Sequence, residues 1–188
     1  MRRPWILGMA LLAAPLLVGG VALADTISCV GVQTCLGTGG DDTLTGGESG
    51  DDMIGFEGND LLLGRGGADL MSGSEGNDTL RGGPGNDTMD GGTGTDLLIG
   101  GRGADTIDAR DFAAPFGVDT IKGGDGDDTI STADGVKDII DCGAGKDRVE
   151  FDAKLDKLTN CEVDPPGSSG THAPSTWTRE PATATWRQ

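Results

Sequence analysis

The feature that most constrains this chain is a period. From Gly37 the sequence can be written in rows of nine, and eight consecutive rows run through Asp108 without an insertion. Glycine opens every row, at Gly37, Gly46, Gly55, Gly64, Gly73, Gly82, Gly91 and Gly100. Aspartate holds the sixth column in every row, at Asp42, Asp51, Asp60, Asp69, Asp78, Asp87, Asp96 and Asp105. The fourth column is glycine except at Ser49, and the eighth is always a large apolar residue. Glycine is 35 of 188 residues, under a fifth of the chain, so a full column of it arises by chance on the order of one time in a million. Collagen would need glycine at every third residue with abundant proline, and a flexible linker would carry no phased apolar column.

Each row divides physically into a turn and a short strand. Glycines at alternate turn positions permit backbone conformations closed to other residues and let carbonyl oxygens point inward together. A calcium ion takes about six to eight oxygen ligands, which carboxylates and carbonyls supply. The apolar eighth column, isolated between polar neighbours, is the inward side chain of a half-buried strand. That column alternates: Leu44, Met53, Leu62, Met71, Leu80, Met89, Leu98, Ile107. The alternation predicts a coil of two rows, eighteen residues, with leucines stacked on one wall and mainly methionines facing them. It also assigns Asp42, Asp60, Asp78 and Asp96 to one edge of the coil and Asp51, Asp69, Asp87 and Asp105 to the other. Successive coils separated by the strand spacing of roughly 4.8 Å bring these carboxylates close enough to share an ion.

The rows match the pattern GGxGxDxUx. Gly82-Gly83-Pro84-Gly85-Asn86-Asp87-Thr88-Met89-Asp90 and Gly123-Gly124-Asp125-Gly126-Asp127-Asp128-Thr129-Ile130-Ser131 fit every defined position. Over residues 37–150 the chain therefore resembles the hemolysin-type calcium-binding proteins, the RTX repeat family. The resemblance implies an all-β fold: a right-handed parallel β-roll, a two-sheet solenoid whose six-residue turns bind Ca²⁺. After Asp108 the frame is interrupted by Ala109 to Ala113, resumes at Asp119 and Asp128, and shifts again at Thr132 before Asp138 and Asp147. The expected metal ligands are the eight aspartates of the regular rows together with Asp119, Asp128, Asp138 and Asp147. Roughly six or more ions are expected. Turns at Asp119 and Asp138 lack the full glycine set and are expected to bind less well than those at Asp128 and Asp147.

The ends carry different signals. Met1-Arg2-Arg3, an apolar run from Trp5 to Val18, and Ala22-Leu23-Ala24 before Asp25 have the three-part form of a bacterial secretory signal cleaved after Ala24. Gly19-Gly20 breaks the run short of the length that a membrane anchor needs. Arg2-Arg3 faintly resembles a twin-arginine signal, so the export route stays open. Residues 25–36 then form an N-terminal cap, 37–108 the regular roll, 109–113 an insertion, 114–150 irregular repeats, 151–163 a C-terminal cap and 164–188 a disordered tail. The tail is rich in Pro, Ser and Thr without an apolar period.

Four cysteines in an exported chain imply disulfides. The twelve rows predict six coils, which would separate Cys29 and Cys35 from Cys142 and Cys161 by about 25 to 30 Å. A disulfide needs Cα atoms within about 7 Å, so Cys29–Cys35 and Cys142–Cys161 are expected. The segment 141–147 with Cys161-Glu162 is similar to the disulfide-capped ends of small RTX proteins exported through the general pathway.

Charge narrows the partners. The net charge is −17, and falls to −19 once Arg2 and Arg3 are removed with the signal. Nucleic acid and anionic membrane surfaces are thus poor partners; calcium, and an envelope or extracellular polymer or protein, fit better. The only histidine is His172 in the tail, which removes His-based triads and His-ligated zinc from the body. No aspartate stands apart from its column as a catalytic acid or base, and the reading is of a non-enzyme. The two functional classes are an extracellular, calcium-dependent structural or adhesive module, or an accessory relative of an RTX protease, lipase or toxin without its catalytic domain. In either case one inward side chain per nine residues is too thin a core to offset backbone entropy. Stacked carboxylates worsen the metal-free coil, so calcium is expected to decide folding.

Overall fold

The computed structural model describes residues 25–29 and 34–162; the expected signal segment and the tail, with Trp177, Trp186 and His172, lie outside the described residues. Each row contributes one short strand from its seventh to ninth columns. The odd strands are β1 (Thr26–Ser28), β3 (Thr43–Thr45), β5 (Leu61–Leu63), β7 (Thr79–Pro84), β9 (Leu97–Arg102), β11 (Thr120–Asp125), β13 (Ile139–Ala144) and β15 (Lys157–Thr159). The even strands are β2 (Thr34–Leu36), β4 (Asp52–Glu57), β6 (Leu70–Glu75), β8 (Thr88–Thr93), β10 (Thr106–Asp108), β12 (Thr129–Ser131) and β14 (Arg148–Glu150).

Odd strands pair only with odd and even only with even, all in parallel, giving an eight-stranded and a seven-stranded sheet. The chain crosses between them at every turn. Strand triplets such as Thr-Leu-Thr and Thr-Met-Asp supply β-branched or polar residues outward and one apolar residue inward, which suits a pleated, half-buried surface. The register stacks Leu44 on Leu62 and Leu62 on Leu80 in one sheet, and Met53 on Met71 and Met71 on Met89 in the other. The leucine and methionine walls expected from the alternation are therefore present, and the coil is about 18 residues. Ile121 and Ile140 continue the first wall, and Ile107 and Ile130 the second. All of these side chains are fully buried.

The roll is longer than the six coils counted from the rows, at about seven turns. The difference comes from both ends. β1 and β2 pair in register with β3 and β4, and β15 pairs with β13, although none of the three follows a glycine-set turn. Each end is held by a disulfide. Cys29 and Cys35 lie with Cα atoms 5.4 Å apart, and both are buried against the first core layer. Cys142 takes the glycine position of its row and reaches Cys161 in the last coil, Cα to Cα 5.0 Å.

The row after Asp108 keeps its first residues in the frame. The Ala109 N–H donates to the Ser131 carbonyl at 2.9 Å, and both Ala109 and Asp111 are buried. The surplus length bulges outward around Phe112 and Phe116, which are exposed, before β11 resumes the sheet.

Candidate metal centre

Turns that lead from even to odd strands form one edge of the roll, and turns that lead back form the other. On the first edge the column aspartates make an unbroken ladder. The N–H of Asp42 donates to Asp60 Oδ1 at 2.7 Å, Asp60 to Asp78 at 2.7 Å, and Asp78 to Asp96 at 2.7 Å. The ladder continues from Asp96 to Asp119 at 2.7 Å, Asp119 to Asp138 at 2.8 Å and Asp138 to Asp156 at 2.9 Å. On the second edge Asp51, Asp69, Asp87, Asp105, Asp128 and Asp147 are joined in the same way, at 2.8 to 3.1 Å. The structure thus places the eight aspartates of the regular rows on the edges expected for them, sets Asp119 and Asp138 on the first and Asp128 and Asp147 on the second, and adds Asp156 to the first.

One oxygen of each interior carboxylate is spent on the ladder. The other is left buried with no hydrogen-bond donor at Asp60, Asp78, Asp96, Asp119 and Asp138 on the first edge, and at Asp69, Asp87, Asp105 and Asp128 on the second. A buried carboxylate oxygen without a partner is costly, and a cation is what relieves it. The ends of the ladders differ. Asp42 Oδ2 accepts the Thr38 N–H at 2.5 Å and its hydroxyl at 2.8 Å, and Asp51 Oδ2 accepts the Gly47 N–H at 2.7 Å. Asp156 Oδ2 accepts the Thr132 hydroxyl at 3.0 Å and the Asp152 N–H at 2.8 Å. Protein groups satisfy Asp42, Asp51 and Asp156, and the interior carboxylates are left open.

The first-column glycines explain what surrounds the open oxygens. A Cβ built on Gly55 would collide with Asp60 Oδ2 and with the carbonyl oxygen of Gly73 in the next coil. At Gly123 the same position is bounded by Asp128 Oδ2 and the Cys142 carbonyl. A carboxylate oxygen and a main-chain carbonyl of the following coil therefore converge on the space that a side chain would fill. Among the described residues no three acidic, cysteine or histidine side chains gather at one point. A cation between coils would take its remaining ligands from the main chain, as oxygen-loving Ca²⁺ accepts. The donor set fits calcium and does not fit zinc, which prefers nitrogen and sulfur.

Burial raises the carboxyl pKa values, against the pull of the ladder N–H groups and with help from neighbouring carboxylates. Asp69 and Asp105 are pushed up to about 6, Asp78 and Asp138 to about 7, and Asp119 to about 8. Without a cation, burial leaves Asp78, Asp138 and Asp119 partly protonated near neutrality.

Sequence reasoning missed a second acidic ladder on the first edge. The Asp111 N–H donates to Asp134 Oδ2 at 3.0 Å, and the Asp134 N–H to Asp152 Oδ2 at 3.1 Å. Asp111 itself accepts the N–H groups of Gly94 at 3.2 Å and Gly117 at 2.6 Å. These residues fall in rows that lack the glycine set, so no column marked them. The available signal was the recurrence of an aspartate four residues before Asp138 and again before Asp156. The fifth column makes an outer ladder as well. Asn59 donates through its N–H at 2.7 Å and its amide at 3.0 Å to Asp41 Oδ1, and Asn77 does the same to Asn59 at 3.0 Å.

The model of the RTX calcium-binding nonapeptide repeat, four copies, matches residues 36–71, 72–107 and 116–149. No curated protein matches the sequence.

Proposed function

The chain belongs to the RTX calcium-binding nonapeptide repeat family, and on that premise we propose that its two aspartate edges hold files of Ca²⁺ ions whose binding drives the folding of an extracellular structural or adhesive module. Calcium binding in a repeat module follows from the family. The assignment to residues is our reading: Asp60, Asp69, Asp78, Asp87, Asp96, Asp105, Asp119, Asp128 and Asp138 each direct a donorless buried oxygen at the gap between coils. Asp42, Asp51 and Asp147 complete the ladders at their ends. Bound Ca²⁺ supplies positive charge between like-charged coils and a bridge from each coil to the next.

The single observation that carries the reading is the set of nine orphaned oxygens, because a solenoid that folded without a cation would leave them uncompensated. The extracellular setting is supported by the two disulfides, which persist in oxidising compartments. Circular dichroism of the oxidised chain in chelator, followed by millimolar CaCl₂, tests the coupling. A spectrum passing from disordered to β on calcium addition is expected; an unchanged spectrum defeats the proposal.

A further inference from the structure

The roll has two flat outer faces, and their charges differ in sign. Seventh- and ninth-column side chains point away from the core because the eighth points in. On the odd sheet these columns carry Arg81, Lys122 and Lys157 against a single acid, Asp141. On the even sheet they carry Asp52, Asp90, Asp108 and Glu150 against a single base, Arg148. In a chain of net charge −17 a basic face runs against composition.

The basic face is also the more apolar in its middle. The register sets Arg81 between Leu63 and Ile99, and Ile99 beside Lys122. Leu61 and Leu97 flank them in the seventh column, so basic heads rise from a half-buried aliphatic strip. The acidic face carries a like-charge contact. Asp90 and Asp108 are direct neighbours on adjacent strands, an arrangement that destabilises a sheet. Arg110 from the bulged row pairs with Asp108, Nη2 to Oδ2 2.6 Å. Asp90 and Glu150 make no ion pair among the described residues.

We propose that these faces bind each other between copies, the basic odd sheet of one molecule lying on the acidic even sheet of the next. The faces lie on opposite sides of the roll, so the contact is heterologous and does not close. It repeats, and molecules stack face to face in a row. The inference rests on calcium-dependent folding, since neither face exists until the sheets form, and calcium on the edges also reduces the repulsion between acidic molecules.

Sedimentation velocity of the full chain in millimolar CaCl₂, over a series of concentrations and with circular dichroism on the same samples, tests it. Species growing with protein concentration and dissolving as salt is raised are expected. Arg81→Glu with Lys122→Glu, and separately Asp90→Lys with Glu150→Lys, alter exposed side chains and should leave the calcium-induced spectrum unchanged. Each double variant alone should associate at least about tenfold more weakly, because like charges then face each other. Mixing the two variants should restore association, since one now has acidic and the other basic faces throughout. A wild-type chain that is folded by circular dichroism yet monomeric at every concentration overturns the stacking while leaving the calcium reading intact. So do variants that associate as the wild type does, or a folded monomer that instead retains an acidic polysaccharide. A chain that does not fold in calcium defeats the earlier reading first, and the two failures are told apart in the same tube.

Discussion

The regular rows and the rows after Asp108 arrive at the same coil with different residues. In the first, glycine fills every first column; in the second, that column holds Ala109, Gly123, Thr132, Cys142 and Phe151. The sixth-column ladder nevertheless runs without a gap from Asp96 through Asp119 and Asp138 to Asp156. The inward column also continues, with Ile121, Ile130 and Ile140 as fully buried as Leu80. Aspartate and the apolar column therefore define the coil, and glycine defines the space beside the carboxylate. Asp119 and Asp138, whose rows open on Ala109 and Thr132, keep a donorless oxygen all the same; at the last coil the Thr132 hydroxyl reaches Asp156 Oδ2 at 3.0 Å.

The largest test of this division is a pair of substitutions. Asp78→Asn removes one charge from the middle of the regular ladder, and Asp119→Asn does so beside the bulged row. Both aspartates have a buried, donorless oxygen, so both changes should raise the calcium concentration for half-folding by on the order of tenfold, as ligand charge tunes calcium affinity. Asp156→Asn, whose second oxygen is held by Thr132 and Asp152, should shift that midpoint much less. A calcium titration followed by circular dichroism reads all three. If Asp119→Asn behaves like Asp156→Asn, the glycine set matters more than the ladder and the comparison breaks.

How much was legible follows the same boundary. The sheets, the leucine and methionine walls and the division of aspartates between edges could be read because the period is strict up to Asp108, and each column has one physical role. The disulfide pairing was also legible, since a rod keeps its ends apart. The extra coil at the N-terminus was not, because Thr26–Ser28 and Thr34–Leu36 are strands without a glycine turn to announce them. The ladder of Asp111, Asp134 and Asp152 was hidden for a related reason. Its register is set by hydrogen bonds between coils of unequal length, at separations of 23 and 18 residues, which a fixed period does not reveal.

A second test concerns protons. Burial holds Asp69 and Asp105 at about 6 and Asp78 at about 7 in the regular half, and Asp138 and Asp119 at about 7 and about 8 in the later half. An unfolded aspartate ionises near its ordinary value of about 3.9, so folding the calcium-stripped chain takes up protons above that pH. Stability of the stripped coil is therefore greatest below about pH 4 and is lost as pH rises through the folded values, up to about 8 for Asp119. Calcium-stripped protein should gain β signal as pH is lowered from 8 towards 5. Calcium-loaded protein should need more calcium over the same window, because protons and cations compete for the same oxygens. Parallel titrations with the same sign would contradict this linkage, and an Asp119→Asn variant should lose the uppermost part of the stripped response.

The smallest expected effect concerns the backbone of the turns. The second column is left-handed at Phe56 (φ 81°), Arg65 (φ 74°) and Ser74 (φ 82°), and glycine takes the same conformation at Gly83 (φ 110°), Gly92 (φ 93°) and Gly101 (φ 120°) in the regular rows and at Gly124 (φ 119°) and Gly143 (φ 97°) in the later ones. A non-glycine residue held there costs roughly 1 to 2 kcal/mol, and a glycine in its place gives back about 0.5 to 1 kcal/mol through greater freedom in the unfolded chain. Arg65→Gly, at an exposed side chain, should therefore stabilise the calcium-loaded roll by about 0.5 to 1 kcal/mol in urea unfolding. Gly124→Ala should do the opposite, since its Cβ would also strike the Gly101 carbonyl of the preceding coil. Equal and small effects at both positions would mean that the left-handed residue is tolerated without strain.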